Sequence, residues 1–576
     1  MGMKLTDSDP FNGYTRREIL RLALLFGGGA ALTPVLIACG STTTPTASDT
    51  TPTAQSGQST AVSTARTGAS SVASSAQASG SPVASTIEAG QSSAPTTNIT
   101  IAASTYHGTL DYRKLTDFND WRVAELTYSA LVRNDDQFQP LPDLAARWEI
   151  PDPQTIVFHL RNAKFHDGTD VTSIDVKSTF DTVLDKNFGA TNRSLFAAIA
   201  TIDAPDPHTI IMHLSAPNPA LMAFLPWVGI VPKHYADASP DKIATNPIGC
   251  GPYKFVSTIQ QSETVLEAFD GYWGGQPAFR QIKYRIIPED TTRTVEIQSG
   301  NVDIATQVAF ADVASIKKDN NLQVVNVPPN GFNYIGLNLK NPALSDLNVR
   351  QAIAYAIDRD AINAAVYEHL AANATGPVIP TSWGYEPNVP VYNYDPAKAK
   401  QLLASAGQTQ GIQLKLTTLN SPEFTQMATI LKQQLDAVGI KIDITPLENT
   451  VLTSQVVKGL YGDMLLGFGW GQQMDPLQHM YRQLLTDNEP PNGYDFVYYS
   501  NPKLDTILKA ANVESDHDKR KSLISDAQKI VAADVPYVFL FTVPEFWAVS
   551  KKVANVKAPS PMDRRFFQLA MNAKKA

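Results

Sequence analysis

The stretch "LAARWEIPDPQTIVFHLRNAKFHDGTDVTSIDVKSTF", Leu144 to Phe180, decides the fold. From Thr155 to Gly168 it alternates apolar and polar residues and stops at glycine, the pattern of a half-buried strand closed by a turn. His166 and Asp167 invite an acid–base reading, yet beside Gly168 they read as a turn after a strand. His159, and His213 further on, occupy alternating strand positions with no second ligand at metal spacing. HExxH, CxxC and GxSxG do not occur in the chain, so no catalytic or metal residue is assigned.

Outward from this stretch, strand-like and helix-like segments alternate. "NITIAAS" from Asn98 reads as a first strand. "VRQAIAYAIDRDAINAAVY" places Val349, Ile353, Ala356 and Ile357 on one helical face, with Asp358 and Arg359 closing that helix. "SPEFTQMATILKQQLDAVGIKIDITPL" from Ser421 reads as a capped helix ending at Gly439, then an alternating strand. Gly249, Gly251 and Pro252 read as backbone punctuation rather than a phosphate cradle. No internal repeat is present, and the fold class expected is a mixed α/β body.

The N-terminus carries an address. Lys4, Arg16, Arg17 and Arg21 precede an uncharged apolar run from Leu22 to Ile37 that ends in Leu36-Ile37-Ala38-Cys39. That run is shorter than the roughly 20 residues a membrane span needs and fits a signal peptide, residues 1–38. Thr15 to Leu20 resembles the twin-arginine export motif, and Leu-Ile-Ala-Cys resembles a lipobox, which makes Cys39 a lipidation site. The alternative is an uncleaved N-terminal anchor. Either way the bulk of the chain lies outside the cytoplasm, tethered to a bacterial membrane.

Residues 39–97 form a linker of Ser, Thr, Ala, Gly, Pro and Gln with Asp49, Arg66 and Glu88 as its only charges. Such a composition cannot bury enough apolar surface to offset its ordering entropy. As a coil its ends lie on the order of 40 Å apart, so it acts as a leash. Without residues 1–38 the chain holds 43 basic and 52 acidic residues, a net charge of −9, which excludes nucleic acid as the expected partner. If Cys39 is lipidated, Cys250 has no intrachain partner and is expected as a buried, inert thiol.

The opening stretch resembles the signature of the family 5 extracytoplasmic solute-binding proteins, which deliver peptides, nickel chelates or oligosaccharides to ABC transporters. "NPIGCGPYKF" from Asn246, "GYWGG" from Gly271, "EIQSGNVDIA" from Glu296, "NYIGLNL" from Asn333, "LNVRQAIAYAIDR" from Leu347 and "YDPAKAKQLLASAG" from Tyr394 resemble family segments, in family order. The resemblance implies an α/β periplasmic-binding-protein clamp of type II, the three-domain cluster C kind, with mixed sheets and a double-crossover hinge. It places domain I at 98–138, 246–340 and 541–576, domain II at 139–245 and domain III at 341–540.

The resemblance also points to a loop. Peptide-binding relatives carry Gly-Asp-x-x-Asp/Glu-Pro, whose first carboxylate meets the peptide's α-ammonium. Here the loop reads Gly471-Gln472-Gln473-Met474-Asp475-Pro476, with Gln472 at the amine-binding position. An amide accepts a hydrogen bond but neutralises no charge, which weakens the usual peptide reading. Asp475 is expected to organise the loop. With Trp470 the pattern also looks like the loop of nickel-chelate binders, in which the Trp470 and Met474 positions line the cavity, and an indole with neutral amides suits a sugar ring. Trp470 packing inside its own domain is the alternative. Tyr106 and His107, after the first strand, and Trp383 and Tyr385, in "GPVIPTSWGYEP", are further ligand-binding candidates by analogy.

The function expected is that of a non-catalytic, cofactor-free, monomeric lipoprotein anchored through Cys39. It would bind a small molecule or peptide and present it to ABC permease and ATPase subunits. An exported hydrolase and a surface receptor without transport are the competing classes.

Overall fold

The computed structural model describes residues 97–105, 109–115, 118–135, 138–470, 474–490, 493–556, 571–572 and 574–575. The signal segment 1–38, Cys39, the linker to residue 96, Tyr106, His107 and Gln472 lie outside the described residues, as does the side chain of Trp470.

Three sheets organise the body. The first has seven strands in the order Leu322–Val327, Glu545–Ser550, Ile304–Ala305, Asn98–Ala103, Gln281–Ile286, Glu263–Ala268, Tyr253–Ile259. The strand read from "NITIAAS" lies at its centre, parallel to both neighbours, with Ile99, Ile101, Ala102 and Ala103 buried. The second is a four-stranded antiparallel sheet, Ala145–Asp152, Thr155–Leu160, Thr209–Leu214 and Ile199–Asp206, the last two at its far edge in reverse chain order. The alternation in the opening stretch is real there: Ile156, Phe158 and Leu160 are buried and the residues between them are not. Helix Ser173–Leu184 covers this sheet, held at its start by a reciprocal capping box between Thr172 and Asp175.

The third sheet has six strands in the order Ala372–Asn373, Tyr537–Thr542, Gly331–Leu337, Met464–Trp470, Ile412–Leu419, Ile440–Leu447. Its central strands Gly331–Leu337 and Tyr537–Thr542 are buried on both faces, and the period of two divides the strands between two cores. Ile335, Leu337, Met464, Leu466, Val538 and Leu540 meet helices Leu347–Ala356, Arg359–Tyr367, Pro396–Ser405 and Pro422–Asp436. Phe332, Tyr334, Leu465, Tyr537 and Phe539 meet helices Leu477–Leu484, Pro502–Val513 and His517–Asp534.

The chain passes from the seven-stranded to the six-stranded sheet through residues 328–330 and returns through 543–544. Both crossings are short, as a two-lobed clamp with a double crossover requires. The switch comes earlier than the boundary expected at 340, because strand Gly331–Leu337 belongs to the six-stranded sheet. The later boundary, expected at 540, falls inside strand Tyr537–Thr542.

A second correction concerns the long helix. Val349 to Tyr367 is two helices, since Ile357 is extended (φ −96°, ψ 112°) and Asp358 caps the second by accepting the N–H of Ala361. Asp358 and Arg359 therefore open a helix rather than close one. Arg359 donates to the carbonyls of Phe539 and Tyr392 and ties the break to the sheet. The helix from Pro422 ends at Asp436, with Gly439 at φ +93° before the strand.

The "FHDG" turn forms as read, with Gly168 at φ +89°. His166 has an additional structural task. Its backbone N–H donates to Gly249 O, its Nδ1 accepts the N–H of Gly249 at 3.3 Å and its Nε2–H donates to Gly251 O at 3.0 Å. That set requires the neutral Nε2–H tautomer, and burial holds the imidazole pKa down to about 4. Gly249 and Gly251 are demanded by close approach: a Cβ at either would lie 2.1 or 2.5 Å from the carbonyl oxygen of Thr127 or Leu126.

Candidate functional site

Strands Ile412–Leu419, Ile440–Leu447 and Met464–Trp470 run parallel. Tyr537–Thr542 points the same way, because it and Met464–Trp470 are both antiparallel to Gly331–Leu337. The carboxyl ends of four strands thus share one edge of the sheet. Both crossings between lobes leave from that edge, next to Gly331 and Thr542. In open α/β sheets the crevice beyond the carboxyl ends is where backbone groups and loop side chains converge on a ligand. Strand Met464–Trp470 ends there, with Trp470 paired to Gly331, and Asp475 follows in the described chain.

Asp475 anchors that loop. Its carboxylate lies 2.6 and 3.0 Å from the two terminal nitrogens of Arg520, both side chains are about 95% buried, and it accepts the N–H of Leu477 at the start of a helix. Arg520 also donates from Nε to Ala511 O at 2.9 Å. The pair is two-pronged and its remaining polar atoms are used, the conditions under which burying two charges is tolerated.

Trp383 is placed behind this pair. Its ring lies 5.7 Å from the Arg520 guanidinium carbon and 4.6 Å from the His517 ring, and adjoining Gly384 packs so closely on Pro476 that a Cβ there would come within 2.6 Å of it. Tyr385 is partly buried, with its hydroxyl 3.2 Å from that of Thr375. The structure therefore gathers Asp475 and Trp383 around Arg520, while Tyr385 sits apart.

Met474 is 2% exposed and belongs to the apolar cluster built mainly from the four-stranded lobe, with Phe224, Leu225, Val228, Ile230 and Cys250. A residue expected to line a cavity is, in this conformation, a bridge from the six-stranded lobe into the core opposite. Cys250 in the same cluster is buried, and burial pushes its thiol up to about 12, which keeps it protonated and unreactive.

Sequence reasoning missed a polar cluster at the same edge. Glu423, in the first turn of helix Pro422–Asp436, accepts the Tyr367 hydroxyl at 2.6 Å on Oε1, where the Asn333 amide also approaches at 3.5 Å. Asn333 donates to the Tyr367 hydroxyl at 2.6 Å. Burial raises the pKa of Glu423. An acid just past a strand's carboxyl end was the one signal in the sequence. His159 and His213 prove to be strand residues facing Glu149 and Asp203, and among the described residues no group of His, Cys, Asp and Glu could hold a metal.

Comparison with known proteins places this geometry. Residues 139–492 match the family model described as bacterial extracellular solute-binding proteins, family 5 Middle. The dipeptide-binding protein of Escherichia coli K12 is 27% identical over 459 residues, covering 74% of this chain and 85% of that one. A putative ABC transporter peptide-binding protein of Brucella ovis is 30% identical over 456 residues, covering 75% and 85%. Among solved structures, the periplasmic binding protein DppA of Helicobacter pylori in complex with peptide STSA superposes with a TM-score of 0.73 at 25% identity, over 83% of this chain and 98% of that one.

Proposed function

The chain belongs to the bacterial extracellular solute-binding proteins, family 5, and from that membership we propose that it captures a peptide or peptide-like solute at the carboxyl edge of its six-stranded sheet. It hands the closed complex to an ABC permease with its ATPase subunits. The observation that carries this reading is the convergence of four strand ends, both interlobe crossings and the Asp475-anchored loop on one edge. A lobe that closes over the solute makes contacts the open form lacks, so solute shifts the hinge equilibrium by its differential affinity.

Trp470, Gln472, Tyr106 and His107 are the proposed solute contacts, with Asp475 as loop organiser. Met474 is a proposed solute contact as well, although its side chain lies in the opposing core here. Trp383 and Tyr385 are proposed solute contacts as well. The position of Gln472 selects a neutral or delocalised group in preference to a free ammonium, because an amide leaves a buried positive charge unpaired. Oligosaccharide and metal chelate remain the neighbouring solute classes.

The protein acts as a monomeric binder without turnover, exported through the twin-arginine motif and anchored by lipid on Cys39. The lipobox sequence supports the anchor. No helix among the described residues is long and apolar enough to cross a membrane.

Calorimetry with a peptide panel tests the loop. Trp470→Ala should weaken binding by roughly 0.5–1.5 kcal/mol beyond the loss of burial, with the fold intact. Gln472→Asp should improve affinity for free-amine peptides. Undiminished affinity in Trp470→Ala, or tight wild-type binding that vanishes on N-acetylation of the peptide, would refute this account of the loop.

A further inference from the structure

We propose that Glu423 is a specificity-determining residue, the anionic partner for an ammonium or guanidinium group carried by the solute. The inference rests on the reading of the carboxyl edge as the solute crevice.

Position comes first. Helix Pro422–Asp436 begins three residues after strand Ile412–Leu419, and that strand lies beside Met464–Trp470 in parallel. Glu423 therefore stands at the same edge as the Trp470 loop, one strand away. Asn333, which approaches its carboxylate, is two residues beyond Gly331, the register partner of Trp470.

The carboxylate is half provided for. Tyr367 and Asn333 both reach Oε1, and Oε2 accepts no hydrogen bond from any described residue. No lysine, arginine or histidine pairs with it among the described residues, and Tyr367 is the one other titratable group that bears on it, from helix Arg359–Tyr367. The residue keeps part of its surface open. An ionised carboxylate in such surroundings lacks the cation that would offset its desolvation, and burial shifts it toward the protonated form.

One side of the carboxylate is walled by aromatic rings. The Tyr367 ring meets Phe310 edge-on at 5.3 Å and Phe541 at 5.4 Å, and Phe310 meets Phe546 at 5.9 Å. Phe310 opens helix Phe310–Lys318, which packs on strand Leu322–Val327 of the seven-stranded sheet, so this aromatic group spans both lobes. These rings pack against one another, so they wall one side of the carboxylate with apolar surface and leave its charge poorly solvated there. The position of Gln472 lacks the charge for that task, so the two ends of the crevice divide the chemistry: neutral groups at the loop, positive charge at Glu423.

The test scans one lysine, then one norleucine, through the three positions of an N-acetylated alanine tripeptide and measures binding by calorimetry. At one position at least, wild type should prefer lysine by about tenfold, the scale of a hydrogen bond to a charged group. That preference should grow as pH rises, because protons compete with the cation for Glu423. Glu423→Gln should abolish it, bringing the lysine and norleucine affinities together, and Tyr367→Phe should retain it, which keeps the proposal falsifiable if the first variant fails to fold. Equal binding of lysine and norleucine peptides by wild type, or a preference that survives Glu423→Gln, overturns the role of Glu423 while the peptide crevice stands. Binding of none of the peptides overturns the peptide reading itself, and the role of Glu423 with it.

Discussion

Asp475 and Arg520 form a buried, two-pronged ion pair. Removing one partner strands a charge in the interior, a loss of about 3–5 kcal/mol, whereas removing both leaves two neutral groups. Arg520→Met should therefore lower the urea midpoint sharply, and Asp475→Asn combined with Arg520→Met should cost less than the sum of the single changes. Asp495 supplies a pH-dependent counterpart. It is fully buried, its Oδ1 accepts the N–H of Tyr499, its Oδ2 has no partner, and burial pushes its carboxyl up to about 8. The folded chain holds a proton that the unfolded chain releases near pH 4, so stability falls as pH rises from about 4 to 8 and levels beyond. Asp495→Asn should remove that slope and gain on the order of 2–4 kcal/mol over wild type at pH 8, read from urea unfolding across pH. His479 runs the other way. Burial holds it down to about 3, so its contribution is lost as pH falls below the unfolded value near 6.5. Little of this could be read along the chain. Arg520 lies 45 residues from Asp475, and Glu423 gains its character from Tyr367 and Asn333, 56 and 90 residues away.

At the scale of elements, legibility followed burial on one face. The strand Thr155–Leu160 could be read because its alternate residues face solvent, while Gly331–Leu337 is buried throughout and shows no alternation. Its two sides feed different cores, which only the folded sheet distinguishes. The helix break at Ile357 was hidden for a related reason: apolar spacing continues across it, and the cap at Asp358 was the sole local sign. Two glycines offer an element-scale test. Gly168→Ala meets no atom within 4 Å and pays for its positive φ alone, about 1 kcal/mol. Gly249→Ala collides with the carbonyl of Thr127, a backbone atom that cannot swing aside, and it lies where His166 grips the segment. Thermal unfolding should show a markedly larger loss for Gly249→Ala, and equal losses would count against close packing of Gly249 on Thr127.

For the whole molecule, two short crossings between sheets make rigid-body closure the natural motion, and Met474 of the six-stranded lobe sits in the core opposite. Family order of segments made this architecture legible before any coordinate, although the crossing points were not. The proposed lipid anchor yields a cell-level expectation: Cys39→Ala should release the protein from the membrane fraction or leave it unprocessed, by fractionation and immunoblot, and a membrane-bound product of mature size would contradict lipidation. The central claim, capture without chemistry, is tested most directly by stripping the purified chain of solute, refolding it, incubating it with a defined peptide mixture, and identifying by mass spectrometry what is released after repurification. The account predicts a subset of the peptides, chemically unchanged and depleted when Trp470→Ala replaces wild type. Recovery of no peptide, or of cleaved products alone, would contradict it.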